Sequence, residues 1–294
     1  MSSLKELKNR IHSLKETRKI TEAMQMVSVT KLRRAQEDMK NASLYKSHIK
    51  DFFMKCTIDD CLKEDLPYLM KGTGKDSIYL IVVFASDRGL CGGFNAQIIR
   101  FVRDRIMEFI SQDKQVKIFI VGKKGYEGLY KDFSSMIIDY VEPPSKKGID
   151  FVYANNISHK LVSLFFSKAF DVCFCIHSEF QSVVQQTPIM SKLVPIDFVG
   201  ELTNKKDVDS SIYRYDPTLY SVLEQMSLQN VAAQIFWSLL ENKVSEIGAR
   251  ITAMDSATRN AGMMVDDLFL SYNRHRQMRI TTELIEIIAG AEAI

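Results

Sequence analysis

The sequence contains few of the residues that interrupt helices, and those few are confined to its middle. All six prolines lie between Pro67 and Pro217, and ten of the thirteen glycines lie between Gly72 and Gly200. Proline stops a helix and glycine weakens one, so both ends of the chain are free to form long helices. The distribution therefore predicts two long terminal helices that flank a turn-rich middle.

Cysteine and histidine are also scarce, with five of each in 294 residues. The cysteines are Cys56, Cys61, Cys91, Cys173 and Cys175; they form no CxxC pair, and no histidine has a partner at metal-ligand spacing. We therefore expect no metal site, no cofactor, and reduced thiols in an intracellular compartment. Cys173 and Cys175 would share one face of a strand and pack in the core.

No run of about 18 apolar residues is present, and the first residues, MSSLKELKNRI, are charged and amphipathic. We therefore expect a soluble chain that is not secreted through a signal peptide and does not insert into a bilayer. The net charge is only +3, yet residues 1–50 hold twelve Lys or Arg against five Asp or Glu. Such a basic arm suits nucleic acid, lipid headgroups or an acidic protein surface, and charge alone does not choose among them.

The C-terminal segment carries an unbroken heptad pattern of mainly apolar residues, which predicts a coiled coil over about residues 218–288. The positions alternate in steps of four and three: Leu219, Leu223, Met226, Asn230, Ala233, Trp237, Leu240, Val244, Ile247, Ile251, Met254, Thr258, Ala261, Val265, Leu268 and Tyr272.

A matching pattern at the N-terminus starts with Leu4, Leu7, Ile11 and Leu14 and resumes at Leu32, Ala35, Met39 and Ala42. Between them it lapses at Arg18, Thr21, Gln25 and Ser28. There the apolar residues spread around the helix: Ile20, Ala23, Met24, Met26, Val27 and Val29. The lapse indicates either a local change of coiled-coil register or contact with a second protein.

The middle of the chain alternates between strand-like and helix-like segments, which predicts an α/β domain with a largely parallel sheet. The expected strands are 78–84, 116–121, 136–141, 171–177 and 183–195, and the expected helices are 96–111, 123–130 and 151–167. The fold class is thus α/β: a long antiparallel coiled coil of the N- and C-terminal helices with a central α/β, Rossmann-like domain. The expected divisions are 1–60, 70–200 and 215–290.

A glycine-rich turn follows the first strand and contains Asp87, Arg88, Gly89, Cys91, Gly92 and Gly93. Glycine-rich turns at helix starts can bind phosphate, but neither GxGxxG nor GxxxxGK[ST] is present. We interpret the segment as a structural turn with Asp87 near a helix start. No catalytic Ser, His and Asp set, carboxylate pair or HExxH run appears, so no catalytic residue is assigned.

Three segments resemble the gamma subunit of F-type ATP synthase: KITEAMQMVS at 19–28, SDRGLCGGFN at 86–95 and YNRHRQMRITTELIEIIAGAEA at 272–293. The resemblance runs from end to end. It implies a non-catalytic central rotor shaft that couples proton-driven rotation of a membrane ring to nucleotide affinity changes in the alpha and beta subunits. It also implies an epsilon subunit and the membrane c-ring as partners, with the chain peripheral on the cytoplasmic face of the bacterial inner membrane.

The resemblance also implies interface residues. Met24 should lie where the shaft meets the beta-subunit levers, with Arg276, Gln277 and Thr281 facing it from the other helix. The same level would carry further basic residues: Arg18, Lys19, Arg274 and Arg279. A contact with the membrane ring is implied at Tyr215, Asp216 and Pro217.

The chain departs from the family pattern at two places. Glu22 stands where many members have lysine, and MDSATRN exchanges the signs of two charges, so that Asp255 precedes Arg259 by four residues. We expect that helical pair to form, with a small effect on stability. The chain also lacks a cysteine-bearing insert of the chloroplast type, so we expect no thiol switch.

Two other functions fit parts of the sequence. A coiled-coil scaffold or nucleic-acid-binding protein would use the basic arm, whereas the resemblance to the gamma subunit implies no nucleic-acid partner. A Rossmann-like oxidoreductase would require a nucleotide fingerprint that the glycine-rich turn does not supply.

Overall fold

The structure, a computed structural model, describes residues 4–59, 66–144, 148–196 and 218–292. Contacts divide the chain into two units, residues 1–30 with 250–294, and residues 31–249. The described residues begin and end in long helices, α1 (Leu4–Asp59) and α6 (Leu219–Glu292). The two long terminal helices of the expected fold are confirmed.

The residues between these helices form an α/β domain, as predicted. Its elements are α2 (Tyr68–Lys71), β1 (Ile78–Phe84), α3 (Phe94–Ser111), β2 (Gln115–Val121), α4 (Lys123–Phe133), β3 (Ile137–Val141), α5 (Phe151–Phe166), β4 (Val172–Phe180) and β5 (Gln186–Val194). Each predicted strand and helix of the middle is present; β1 has the predicted boundaries, and those of the other elements differ by at most three residues.

The five strands form one sheet in the order β3-β2-β1-β4-β5. The pairs β1–β2, β1–β4 and β2–β3 are parallel, whereas β4–β5 is antiparallel. The expected largely parallel sheet is therefore confirmed. Six of the seven residues of β1 are buried, as the apolar run IYLIVVF indicates for a central strand covered on both faces.

Helices cover both faces of the sheet within residues 31–249. On one face, Ile81 and Val83 of β1 pack with Ile98 of α3 and Leu129 of α4. The other face packs Leu80 and Val82 against α5 and α6, and Ile49 of α1 joins this cluster. Cys173 and Cys175 lie in that second core with almost no exposure, which confirms their expected packing role.

The two outer strands carry charged residues or proline, which disfavour pairing with a further strand. β5 contains Pro188, which has no N–H to donate, and the exposed residue Lys192. At the opposite edge, Asp139 of β3 pairs with Lys160 of α5 through an Nζ–Oδ2 distance of 2.8 Å.

The heptad pattern of α6 corresponds to buried positions along the helix. Leu223, Asn230, Ala233, Leu240, Val244, Ile247, Met254, Ala261 and Val265 are all buried. Within residues 1–30 and 250–294, α1 and α6 run antiparallel, since Thr21 bonds Thr258 while Gln25 bonds Asp255.

Candidate subunit interface

The lapse in the N-terminal heptad pattern is a polar layer between α1 and α6. Thr258 Oγ1 donates to Thr21 Oγ1 at 2.7 Å, and Gln25 Nε2 donates to Asp255 Oδ1 at 3.3 Å. One helical turn beyond Gln25, Ser28 is buried and donates to the carbonyl of Met24 at 2.7 Å. The polar residues thus occupy the seam positions that apolar residues fill elsewhere.

The register of these pairs is constant, because the paired residue numbers sum to 279 or 280. A Cβ on Gly262 would lie 3.9 Å from Arg18 Nη1, which continues the same register. No shift of register occurs at residues 18–25, so the hypothesis of a local register change is wrong there.

This register corrects the expected level of the basic residues. Met24 lies near residues 255 and 256 of α6, not opposite Arg276, Gln277 and Thr281. From residue 256 to Arg276, α6 rises about 30 Å at about 1.5 Å per residue. Motif resemblance could not reveal this, because a heptad pattern defines the seam but leaves its antiparallel register open.

The basic residues near Met24 are exposed. Arg18 lines a shallow surface cleft of about 660 Å³ together with Thr258, Arg259 and Asp266. Lys19 Nζ pairs with Glu16 Oε1 at 3.0 Å along the same helix. This level therefore presents mixed charge beside Met24, which is itself partly buried.

The expected pair of Asp255 and Arg259 forms, as the four-residue spacing predicted. Asp255 thus serves both Arg259 on its own helix and Gln25 on the other. Arg279 forms a similar pair, with its Nε 2.7 Å from Glu283 Oε1.

Many large apolar residues of this unit point away from the seam. Those more than half exposed are Ile20, Met26, Val27 and Val29 on α1, and Met263, Met264, Phe269, Leu270, Met278, Leu284, Ile285, Ile287 and Ile288 on α6. Exposed apolar side chains in this number are typical of a surface that contacts another protein or a membrane. The sequence predicted the α1 group from the lapse in its heptad pattern, whereas the α6 group was not predicted, and its only signal is apolar residues that lie off the seam.

The last four turns of α6 are exposed on every side. In the register above, Leu4 lies opposite about residue 276, and every described side chain from Arg276 to residue 291 is exposed. Arg274, Gln277 and Thr281 are exposed as well, and Thr281 Oγ1 bonds only the carbonyl of Gln277 among the hydrogen bonds described for it. This end of the helix offers apolar and basic groups together.

The glycine-rich turn after β1 is held by its own side chains. Asn95 Oδ1 accepts from the Ser86 N–H at 3.1 Å, and Asn95 Nδ2 donates to Ser86 Oγ at 2.8 Å and to Cys91 Sγ at 3.2 Å. Ser86 Oγ donates in turn to the carbonyl of Arg88 at 2.7 Å. Cys91 is buried, and Gly92 has a φ of +57°, which favours glycine.

Asp87 lies at a helix start, as expected, although the helix is α4 and not the adjacent α3. Its Oδ1 accepts from the Lys123 N–H, the first residue of α4, at 3.1 Å. Burial raises the pKa of Asp87, and the hydrogen bond from Lys123 opposes that effect only in part. Gly93, at the start of α3, supplies no side-chain cap. The turn thus ties β1, α3 and α4 together, and neither Gly89 nor Gly93 has a close neighbour at its Cβ position.

The residues expected at the membrane ring, Tyr215, Asp216 and Pro217, lie outside the described residues. Within the described ranges, no group of three His, Cys, Asp or Glu side chains is placed to hold a metal ion. None of the described helices is long and apolar enough to cross a membrane.

The described residues define a class: a protein with a central α/β domain and two long terminal helices that pair antiparallel within residues 1–30 and 250–294 and expose many apolar side chains there. The sequence matches the family model described as ATP synthase over residues 3–294. It is 47% identical to the ATP synthase gamma chain of Sinorhizobium fredii and 46% identical to those of Brucella anthropi and Rhizobium etli, over the full length of each chain.

Solved structures share the fold at lower identity. A chain of the Euglena gracilis mitochondrial ATP synthase OSCP/F1/c-ring structure aligns with a TM-score of 0.69 at 18% identity, over 99% of this chain and 94% of that one. A chain of the Tetrahymena thermophila mitochondrial ATP synthase central stalk/c-ring structure aligns with a TM-score of 0.60 at 21% identity. The alignment covers 81% of this chain and 99% of that one. This chain belongs to the ATP synthase gamma chain family.

Proposed function

We propose that this chain is the central rotor shaft of a proton-translocating F-type ATP synthase. It couples rotation of the membrane ring to conformational change at catalytic sites that belong to the alpha and beta subunits, and it has no catalytic site of its own. The observation that carries the proposal is the exposed apolar surface on both helices of residues 1–30 and 250–294. Full-length similarity to bacterial gamma chains supports it.

The interface with the alpha and beta subunits has two levels in this proposal. Arg18, Lys19 and Met24 form the first level, beside the polar layer. Arg274, Arg276, Gln277 and Thr281 form the second, on the exposed end of α6. Arginine suits both levels because its planar guanidinium binds carboxylates of a partner in a bidentate way.

Coupling requires that the shaft make different contacts in each rotational state. The apolar groups that are more than half exposed are unevenly distributed, with four on α1 and nine on α6 among the described residues of 1–30 and 250–294. A surrounding ring would therefore meet a different surface at each angle. This asymmetry supports the proposal that the rotating shaft changes nucleotide affinity at each catalytic site of the alpha and beta subunits in turn.

The remaining partners in the proposal are the epsilon subunit and the membrane c-ring, with Tyr215, Asp216 and Pro217 at the ring contact. The glycine-rich turn with Asp87, Arg88 and Cys91 has a structural role. The related Euglena structure contains F1 and the c-ring, and the related Tetrahymena structure contains the central stalk and c-ring, which supports these partners.

The proposed location is the cytoplasmic face of the bacterial inner membrane, with the chain peripheral to it. The bacterial origin of the related gamma chains supports this. The divisions at 1–60, 70–200 and 215–290 remain predictions, with the first and third as shaft and the second as the domain nearest the ring.

The alternative of a nucleic-acid-binding or scaffolding coiled coil draws only on the basic residues 1–50. Membership of the gamma chain family gives it no support. It would require salt-sensitive DNA binding by the isolated chain, because phosphate contacts release counterions.

Reconstitution tests the proposal. The chain is mixed with the alpha and beta subunits of its own organism, and assembly and ATP hydrolysis are measured with and without it. We expect a stable hexamer with multisite hydrolysis only when the chain is present. A chain that neither joins nor activates the ring would overturn the rotor function.

A further inference from the structure

A row of polar side chains is buried between strand β4 and helix α6. His177 Nε2 donates to Glu241 Oε2 at 2.9 Å, and Trp237 Nε1 donates to the same oxygen at 2.9 Å. The Cys175 thiol donates to Ser238 Oγ at 3.3 Å. His177, Glu241 and Ser238 are each more than nine-tenths buried, so these bonds form away from water.

The backbone of β4 takes part in the same row. Ser178 N–H donates to Asn242 Oδ1 at 3.2 Å, and Ser245 Oγ donates to the Ser178 carbonyl at 2.9 Å. The pairing of β4 with β1 ends at Ile176, so Ser178 has no β1 partner on that side, whereas on the other side it pairs with Pro188 of β5. Helix α6 therefore supplies the hydrogen bonds that another strand would supply.

The members of this row on α6 lie at relative positions 0, 3, 4 and 7, and so they share one face of the helix. They are Ser238, Glu241, Asn242 and Ser245. The heptad seam at Leu240, Val244 and Ile247 occupies a different set of positions. We call the first set, with Cys175, His177 and Ser178, the buried polar strip.

Directional bonds restrict the helix in a way that apolar packing does not. Apolar burial depends on area and is largely indifferent to small rotations or slides, whereas a hydrogen bond weakens steeply with distance and angle. Moving α6 by one residue shifts it by about 1.5 Å and turns it by about 100°. The bonds that join α6 to β4 would then be broken, which leaves buried polar groups such as His177 without a partner and is strongly unfavourable.

We propose that the buried polar strip is a torsional lock, which holds helix α6 in one rotational and axial position on the α/β domain while the chain carries torque. The His177–Glu241 bond is its central element. This proposal rests on the rotor function proposed above, and it assigns His177 and Glu241 as positioning residues for coupling.

The lock has a defined protonation state. Burial by itself lowers the pKa of His177, but hydrogen bonds to Cys175 and Glu241 outweigh that effect and raise the pKa to about 9. The titratable groups that act on the imidazole are Cys175 on its own strand and Glu241 on α6; Lys46 of α1 lies over the Trp237 ring, 4.8 Å from its centroid. The hydrogen bond to Glu241 therefore favours the imidazolium, which is lost as pH rises through the raised pKa.

The test compares His177→Leu with a matched control, Val244→Ala, in the assembled complex reconstituted into vesicles. Val244 is fully buried on the same helix but lies outside the strip. ATP hydrolysis and protons pumped per ATP are measured as the opposing proton gradient is raised. We expect His177→Leu to keep its hydrolysis rate while pumping per ATP under the opposing gradient falls about fivefold, the effect of roughly one lost hydrogen bond. Val244→Ala should keep the wild-type ratio.

A second variant keeps the proposal testable if His177→Leu fails to assemble. Glu241→Gln preserves the shape and an acceptor oxygen but removes the charge that holds the imidazolium. We expect wild-type pumping per ATP to decline as pH rises through the raised pKa of His177, and Glu241→Gln to shift that decline to lower pH.

The outcomes separate the two proposals. If His177→Leu pumps as many protons per ATP as the wild type under the full gradient, the torsional lock is wrong, but the rotor function stands. The same conclusion would follow from an unshifted pH profile in Glu241→Gln, or from an equal loss in Val244→Ala. A wild-type chain that never assembles or pumps would instead overturn the rotor function.

Discussion

Gln25 of α1 donates a hydrogen bond to Asp255 of α6 at 3.3 Å, across a seam that apolar residues otherwise fill. Asp255 also pairs with Arg259 on its own helix. Polar groups in a coiled-coil seam reduce stability but favour one register, because any other alignment leaves them without partners. This contact therefore sets which residues of the two helices lie at the same level.

Two substitutions at Asp255 separate its roles. Asp255→Asn keeps an oxygen for Gln25 but removes the charge beside Arg259, so we expect a loss of only about 0.3 kcal/mol, typical of a partly exposed helical pair. Asp255→Ala also removes the acceptor and should cost roughly 1 kcal/mol more in the free energy of unfolding. Urea denaturation of the chain, followed by circular dichroism, measures both. Equal losses in the two variants would show that the Gln25 bond contributes nothing.

Met24→Lys tests the first level of the proposed interface. Met24 is partly buried beside exposed apolar groups, and a lysine there would either resist burial or form a new ion pair with an acidic partner. We expect continued ATP hydrolysis with poor proton pumping in the assembled complex. Met107→Lys is the control, because Met107 is exposed on α3 of the α/β domain. Normal pumping per ATP in Met24→Lys would remove Met24 from the coupling surface.

The exposed end of α6 should contribute affinity for the alpha and beta subunits. Ile285 and Ile288 are each more than half exposed, and burying one such side chain contributes roughly 1.5 kcal/mol or more, about tenfold in affinity. Ile285→Ser and Ile288→Ser should each weaken binding by about that factor in a titration of the hexamer. Val184→Ser, on the exposed loop before β5, should leave binding unchanged. Unchanged affinity in both isoleucine variants would place this end of the helix outside the interface.

Asp87 offers a test with a pH signature. Asp87→Ala removes the acceptor at the start of α4 and should cost about 1 kcal/mol, whereas Asp87→Asn keeps an acceptor for Lys123. Because the folded chain holds the Asp87 proton more tightly than the unfolded chain, this group stabilises the fold at low pH. That contribution is lost as pH rises from the ordinary carboxyl range through the raised pKa.

The matching measurement is the free energy of unfolding as a function of pH for the wild type and both variants. As pH rises through the acid range, the free energy of unfolding should decline less in Asp87→Asn than in the wild type. Parallel profiles for the two proteins would show that burial of Asp87 has no effect on its protonation.

Much of the fold was predictable because its signals are local. The run IYLIVVF identifies the central strand, and the heptad positions from Leu223 to Val265 identify the buried side of α6. These patterns depend on the period of each element and on burial, which the sequence records directly.

The candidate site was less predictable because it depends on which distant residues meet. Met24 and Arg276 both match family motifs, yet nothing in a heptad pattern specifies how far one helix is displaced along the other. His177 and Glu241 are 64 residues apart, and neither the apolar strand nor the helix indicates that they pair. The exposed apolar residues of α6 were visible in the sequence only as departures from the seam.

The edges of the sheet have a consequence for the chain before it meets its partners. Pro188 and Lys192 on β5, and the Asp139–Lys160 pair at β3, make both edges poor templates for another strand. Copies synthesised in excess of the other subunits would accordingly resist strand-to-strand polymerisation. Their aggregation would begin instead at the uncovered helix faces, so supplying those partners, and not altering the sheet, is the way to keep the free chain in solution.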